Sequence, residues 1–208
     1  MIGFRINRLA VLFRLHLVIL VLLISACATS EKKGDTDGVV QDIEIKEEFG
    51  VDESVSEIFK QAVELLREKK YNEAITLLKQ VVEASDKHSA PFVNLGIAYL
   101  KVGKIDESEE NFKKALTINP DHPVTNNELA IAYRKSGRFD EARQRYQHVI
   151  AKYPLFLPAR KNLGILCDLF LKDFQCAIEQ YGAYLSLKPE DEKVKIWFTD
   201  VKRRAGVK

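Results

Sequence analysis

The 208 residues include 32 Lys and Arg against 30 Asp and Glu, which leaves a formal net charge of +2. Such a balanced charge gives no support for nucleic-acid binding, which calls for a clustered basic face. Glycine and proline are sparse and strand-like alternation is hard to find. The chain therefore has room for one modest, all-helical domain with appendages.

The N-terminal segment has the layout of a secretory signal. Residues 1–14 carry three arginines and no acidic residue, residues 17–24 are aliphatic, and two small residues precede Cys27. A basic start, an apolar middle and a small-residue exit predict export. The alternative is an uncleaved membrane helix, but Arg14 and His16 interrupt the apolar run, which falls well short of the roughly 20 residues that a span needs.

The stretch LISAC at residues 23–27 resembles the lipobox of bacterial lipoproteins. The resemblance implies that residues 1–26 are cleaved and that Cys27 is the lipid attachment site, with a thioether-linked diacylglycerol and an acyl chain on the new amino group. Several acyl chains anchor a protein stably, whereas one alone is marginal. In that family an aspartate after the cysteine retains the protein in the inner membrane, so Ala28 implies the outer membrane, facing the periplasm.

Residues 27–54 are predicted to form a lipidated, acidic, flexible tether. The segment is rich in Asp and Glu and offers too little apolar surface to offset the entropy of ordering it. A docking role for this acidic run is the alternative. A brief ordered piece near the first repeat is also compatible with Val39, Val40, Ile43 and Ile45.

Two consecutive segments, 89–122 and 123–156, share one pattern with a period of 34 residues. Leu95 and Leu129, like Gly103 and Gly137, hold matching places in it. The pattern resembles the tetratricopeptide repeat family, in which helix–turn–helix units stack into a solenoid. The resemblance implies an all-α fold. The predicted repeats span 55–189, as 55–88, 89–122, 123–156 and 157–189, and a capping helix with its tail spans 190–208.

Individual copies depart from the pattern. A lysine pair at 69–70 replaces the turn glycine of the first repeat, and terminal repeats are often atypical. From Cys167 onward the register slips by one residue, which predicts an insertion near 171–173. The apolar stripe of the final helix is expected to cover the open side of the last repeat. That stripe consists of Val194, Trp197 and Val201.

Small residues are expected to let the two helices of a repeat approach closely. Gly96 and Gly164 hold such places on first helices, and Ser108 is a weaker copy of the alanines that face them from second helices.

In tetratricopeptide repeats the first helices line an inner groove, and the family's exposed groove places map onto this chain. The predicted apolar floor is Val63, Ile97, Ile131 and Ile165. The predicted basic edge is Arg67, Lys101 and Lys135, with Arg134 nearby. The other predicted groove residues are Phe59, Val93, Asn94, Asn127, Lys161 and Asn162.

An apolar floor beside a basic edge suits a peptide with acidic residues, because apolar area supplies affinity while charge steers and orients. The alternative is that the isoleucines only pack beneath a neighbouring side chain or helix. Chaperone-type members of the family hold a terminal carboxylate with lysine and asparagine. Phe59 and Val63 hold the corresponding places of the first repeat here, so that clamp is absent.

The residues predict no enzyme, cofactor or metal site. His88 and His122 hold the same place in successive loops but lack a third ligand, so they are expected to be surface histidines. No glycine-rich phosphate cradle or nucleophile elbow is present. The pair at 109–110, Glu109 and Glu110, is expected to lie on a solvated face.

Cys167 and Cys176 lie on opposite sides of the fourth helical turn. Antiparallel helices could bring their α-carbons within the roughly 4.4–6.8 Å that a disulfide tolerates, and a periplasmic location would permit oxidation. Two small buried thiols are the equal alternative.

The combined sequence features favour a non-enzymatic scaffold that recruits periplasmic or envelope proteins. The last third, including 162–170 and 194–198, is similar to repeat lipoproteins described as components of TonB energy-transduction systems, and implies contact with such complexes. Repeat lipoproteins that serve as pilotins for type IV pilus secretins share the anchor and fold, and an adaptor for peptidoglycan hydrolases or proteases is a third class.

Overall fold

The computed structural model describes residues 52–207, and its helices follow each other with short turns between them. Eight of the nine α-helices in this range form antiparallel pairs, and the ninth packs on the last pair. The helices are α1 Glu53–Arg67, α2 Tyr71–Ala84, α3 Ser89–Lys101, α4 Ile105–Ile118, α5 Pro123–Lys135, α6 Phe139–Lys152, α7 Leu157–Ile165, α8 Phe174–Leu187 and α9 Glu192–Arg204. No strand occurs among the described residues, and the predicted all-α solenoid is confirmed.

The segment predicted as a tether lies largely outside the described residues, as do Cys27 and the signal. Its last residues belong to α1, which begins at Glu53. The Asp52 carboxylate caps this helix by accepting a hydrogen bond from the Ser54 amide at 3.0 Å. Such a cap satisfies one of the amides that the first turn leaves without a partner.

In the second and fourth repeats the two helices meet where a glycine faces an aromatic ring. A Cβ atom on Gly96 would lie 2.6 Å from Cε1 of Phe112, and one on Gly164 would lie 2.5 Å from Cε1 of Tyr181. Real carbon contacts are about 3.5–4.0 Å, so only glycine permits this approach. Ser108 is more than a weaker alanine, because its hydroxyl donates a 2.8 Å hydrogen bond to the Gly96 carbonyl and ties the same two helices together.

The turn inside each repeat needs one residue in the left-handed region of backbone space. Gly103 and Gly137 provide it with φ angles of 82° and 79°. In the first repeat the same place is held by Lys69 with φ 62°, and in the fourth by Lys172 with φ 56°. The replacement of the turn glycine therefore leaves the turn geometry unchanged, at a conformational cost that glycine does not incur.

The extra residue of the fourth repeat is accommodated by a π-helix. The first helix of that repeat continues from α7 as a π-helix over Leu166–Leu171, a wider winding that absorbs a one-residue insertion. The Asp173 amide then donates a 2.9 Å hydrogen bond to the Cys167 carbonyl. This arrangement brings Cys167 and Cys176 together in a disulfide, with their α-carbons 5.9 Å apart.

Helix α9 covers the end of the solenoid as expected. Val194 and Val201 are fully buried in the core, and the Trp197 ring lies 5.9 Å from the Tyr181 ring. An ion pair between Arg204 and the buried Asp168 ties the end of α9 back to the π-helix. The cap therefore shields the apolar side that the last repeat would otherwise expose.

The glycine–aromatic contact predicts opposite outcomes for two glycine-to-alanine variants in the same repeat. Gly164→Ala is expected to lower the free energy of unfolding by about 1–3 kcal/mol, because the methyl group would overlap a buried ring. Gly182→Ala is the control: its Cβ would lie an ordinary 3.5 Å from Phe198, so helix propensity should leave it neutral or raise stability by about 0.5–1 kcal/mol. Chemical denaturation measures both, and an unaffected Gly164→Ala variant would contradict the packing.

The left-handed turn predicts that Lys69→Gly stabilises the chain by up to about 1 kcal/mol, because glycine adopts φ 62° without a steric penalty. The mirror variant Gly137→Lys should destabilise it, since the lysine would enter the same strained region. Thermal or denaturant unfolding of both variants against the unchanged chain is the measurement. A Lys69→Gly variant that is strongly destabilised would show that the lysine side chain, and not the backbone, is what the turn requires.

Candidate functional site: the inner face

The first helices of the four repeats, α1, α3, α5 and α7, lie side by side, and we call the surface they share the inner face. One row along this face is apolar and half-buried, with one residue from each repeat. The row consists of Val63, Ile97, Ile131 and Ile165. These side chains pack against the core on one side and remain partly open on the other. The structure thus brings together the four residues predicted as the floor of a groove.

A second row follows four residues further along the same helices and is basic. Arg67, Lys101 and Lys135 are all exposed, and the corresponding place in the fourth repeat holds the exposed Leu169. Lys161 stands apart from this row, with its ammonium 5.4 Å from the centre of the Tyr184 ring. The positive edge therefore runs along the first three repeats and becomes apolar at the fourth.

Three residues predicted to line the groove are buried instead: Phe59 and Val93 in the apolar core, and Asn127, which is only 3% exposed, at the boundary of the third and fourth repeats. Val93 has no exposed surface and Phe59 only 9%, and each is part of a cluster of buried apolar side chains. Their assignment as groove residues is therefore corrected. Burial of this kind depends on what packs above a helix, which spacing along that helix does not reveal.

The amides on the inner face are largely engaged with each other. Asn162 donates a 3.0 Å hydrogen bond to the side-chain carbonyl of Asn127, which in turn donates to Glu128 at 3.1 Å. Asn94 instead donates to the Ala90 carbonyl of its own helix at 3.0 Å. The first of these links joins the third repeat to the fourth, so the buried Asn127 and the half-buried Asn162 connect two repeats beneath the inner face.

Glu128 is a site residue that the sequence interpretation missed. It is half-buried next to the apolar row, and burial raises the pKa of its carboxyl, while the nearby Lys101 ammonium acts in the opposite direction. A signal for it existed, because Glu128 directly precedes Leu129, in the place where Asn94 and Asn162 stand in neighbouring repeats. The inner face therefore contains one acidic acceptor near its middle.

Arg134 is directed toward the fourth repeat. It is half-buried, and its guanidinium carbon lies 5.4 Å from the Phe170 ring, which in turn lies 5.2 Å from the Phe139 ring. Its Nε and the hydroxyl of Tyr146 are buried without a hydrogen-bond partner among residues 52–207. Burial also raises the pKa of Tyr146. Arg134 thus adds charge and an aromatic stack at the boundary of the third and fourth repeats.

Two expectations about polar residues elsewhere are wrong. His122 is buried and caps α5, where its Nδ1 accepts from the Thr125 amide at 3.2 Å. Glu109 is only 9% exposed and forms a two-pronged ion pair with Arg138 from the next repeat, which also holds the pKa of Glu109 below its usual value. Both residues were expected at the surface. His122 is buried by its capping contact with Thr125, and Glu109 by its ion pair with Arg138.

One group of potential metal ligands occurs in the described part of the chain, formed by Cys167, Asp173 and Cys176. The disulfide uses both sulfur atoms, and Asp173 caps α8 by accepting from the Cys176 amide at 3.1 Å. These residues therefore have structural roles. Between residues 52 and 207 no helix is both long enough and apolar enough to cross a membrane.

Several solved structures resemble this one. A structure of MamA labelled AMB-1 has 25% sequence identity and a TM-score of 0.62, covering 74% of this chain and 83% of its own. MamA from Desulfovibrio magneticus RS-1 has 21% identity and a TM-score of 0.67, covering 74% and 87%. PilF from Pseudomonas aeruginosa has 19% identity and a TM-score of 0.67, covering 74% and 69%. The last two likenesses concern the fold alone.

None of the curated protein sequences matches the chain. Three family models, each described as tetratricopeptide repeat, match residues 65–110, 88–154 and 127–192. Together they span 65–192, well over half of the chain, and they overlap the helix pairs described above. The chain therefore belongs to the tetratricopeptide repeat family, whose members bind protein partners.

Proposed function

We propose that this protein is a non-enzymatic scaffold that holds an envelope protein partner against its inner face. One observation carries the proposal: the half-buried apolar row lies directly beside an exposed basic row across successive repeats. Partly open apolar side chains in a continuous row are typical of an interaction surface. A partner segment with apolar residues on one side and acidic residues on the other would match both rows.

The two rows would contribute differently to binding. Burial of Ile97, Ile131 and Ile165 would supply most of the affinity, at roughly 25 cal/mol for each Å² removed from water. The exposed lysines and arginine would speed association and set the orientation of the segment, with an effect that weakens as salt is added. Glu128 would favour a hydrogen-bond donor on the segment, because a half-buried carboxylate gains from a partner.

The proposed location is the periplasmic side of the outer membrane, with Cys27 as the lipid attachment site. Cys27 lies outside the described residues, so this part of the proposal depends on the lipobox resemblance. The disulfide between Cys167 and Cys176 supports it independently, because structural disulfides form and persist in oxidising compartments such as the periplasm.

The envelope system we propose is a TonB-type energy-transduction complex, on the likeness of the last third of the chain to lipoproteins of such systems. The alternatives are a pilotin for a type IV pilus secretin and an adaptor for peptidoglycan hydrolases. All three use the same surface to hold a protein segment, so identification of the bound partner separates them.

The groove predicts that Ile131→Glu abolishes partner capture, because a charge in the middle of the apolar row would have to be desolvated on binding. The measurement is crosslinking in cells, affinity purification of the full chain and identification of the captured proteins. Ile196→Glu is the matched control, since Ile196 is 67% exposed on α9 and away from the inner face. Circular dichroism must show that both variants fold; unchanged capture by folded Ile131→Glu would refute the inner-face assignment.

The proposed location predicts that the protein purified from the periplasmic side has no free thiol at Cys167 or Cys176. Alkylation before and after reduction, read by mass spectrometry, should label these two residues only after reduction. The same chain expressed without its signal should be labelled without reduction, because the cytosol keeps thiols reduced. Two reactive thiols in the exported protein would contradict the proposed compartment.

A further inference from the structure

A depression of about 600 Å³ lies between the second helices of the first and second repeats, α2 and α4. We call it the outer groove, because it opens on the opposite side of α3 from the inner face. Its accessible apolar surface is formed by the half-buried Tyr99 of α3 and Val82 of α2 and by the exposed Ile118 of α4, while Phe92 and Leu95 lie beneath them and are only 7% and 3% exposed. This is an apolar surface that the proposed function does not use.

The equivalent place between the second and third repeats is closed by polar contacts across the repeat boundary. Arg138 pairs with Glu109, and Arg145 donates a 3.1 Å hydrogen bond to the side-chain carbonyl of Asn126. Asp121 pairs with both His148 and Lys152: its Oδ1 lies 3.0 Å from His148 Nε2, and its Oδ2 contacts the Lys152 ammonium. These long side chains lie across the boundary between α4 and α6 and join the two repeats there.

The boundary between the third and fourth repeats keeps one of these contacts with its charges reversed. Arg143 and Asp173 stand in the places of Glu109 and Arg138, once the one-residue insertion is counted, and they pair at 3.0 Å. The ion pair at this place therefore recurs although its residue types are exchanged, which shows that the geometry of the boundary brings these two positions together.

The boundary between the first and second repeats has lost all three contacts. The places of Glu109 and Arg138 hold Ile75 and Lys104, and those of Asn126 and Arg145 hold Phe92 and Asn111. The Asp121 place holds Lys87, so a cation has replaced the acceptor. Asn111 donates instead to the Glu107 carbonyl of its own helix at 2.7 Å. The outer groove is open because its sequence lacks the side chains that close the next boundary.

The electrostatics of the outer groove favour a cation. Its rim has four acidic residues against two lysines, and one of the lysines, Lys114, is paired with Glu110 at 2.7 Å. Glu83 and Asp86 lie at the C-terminal end of α2 and form no ion pair within residues 52–207. Neither α2 nor α4 has a basic residue in its last turn, and the C-terminal end of a helix attracts positive charge.

We propose that the outer groove is a second binding site, which takes a basic protein segment carrying a large apolar side chain. The apolar side chain would lie on Val82, Tyr99 and Ile118, and a neighbouring arginine or lysine would lie against Glu83 and Asp86. The proposed site on the inner face favours an acidic segment, whereas the outer groove favours a basic one. The two surfaces would therefore hold chemically distinct segments. A chain with both could bring two partners, or two parts of one partner, together.

The test uses the full chain and a fluorescein-labelled peptide in which phenylalanine and leucine are flanked by arginines. Fluorescence anisotropy should show binding that weakens with salt, and a peptide with glutamates in place of the arginines should not compete. The double variant Glu83→Lys, Asp86→Lys should lower the affinity by about tenfold or more, since two attractive contacts become repulsive. Both positions are exposed, so the fold is not at risk.

Two further variants locate the site. Asp140→Lys with Glu141→Lys makes the same charge change on exposed residues of α6 and should leave the affinity unchanged. Phe92→Asn with Asn111→Arg transplants the polar contact of the next boundary; because Phe92 is buried, circular dichroism must first show that this double variant folds, and it should then abolish binding while Ile131→Glu does not. Absence of binding to the unchanged chain, or equal loss in the Asp140/Glu141 control, would overturn the proposal. Loss with Ile131→Glu alone would place the peptide on the inner face and also overturn it.

Discussion

The close contact between a small residue on one helix and an aromatic ring on its partner is the constraint on which the rest of the structure depends. At Gly96 and Gly164 the ring lies where a Cβ atom would be, so the two helices of a repeat approach as closely as their backbones allow. Side chains on the far side of each first helix are consequently directed away from the hairpin, where they form the rows of the inner face.

Contacts between repeats determine how much of each surface remains available. On the inner face, Asn127 and Asn162 link neighbouring repeats by a hydrogen bond, while the isoleucines beside them stay half open. On the outer side, the Glu109–Arg138 and Arg143–Asp173 pairs cross two boundaries, whereas the first boundary has Ile75 and Lys104 in those places and a groove beside them. Repeats that share the same backbone geometry can therefore expose different surfaces, because the side chains that cross their boundaries differ.

The irregular fourth repeat shows how an insertion can be tolerated without loss of the stack. The π-helix over Leu166–Leu171 absorbs the extra residue, and the disulfide between Cys167 and Cys176 joins both sides of the turn. Asp168, on the same π-helix, pairs with Arg204 of the capping helix. The deviation from regular helix thus coincides with the contacts that attach the cap to the solenoid.

The sequence by itself determined the helix pairs, their order, the turn positions and the one-residue slip of register after Cys167, because each depends on local spacing and on small residues that recur every 34 positions. It placed the extra residue in the turn near 171–173, whereas the structure absorbs it in the π-helix over Leu166–Leu171. It also identified Val63, Ile97, Ile131 and Ile165 as one row. Only the tertiary structure decided which residues are buried, that Glu128 belongs to the inner face and that one boundary lacks the crossing side chains. The residues it buries against expectation are Phe59, Val93, Asn127, His122 and Glu109. Period fixes the direction of a side chain from its helix, whereas exposure depends on the residues of neighbouring repeats that pack against it.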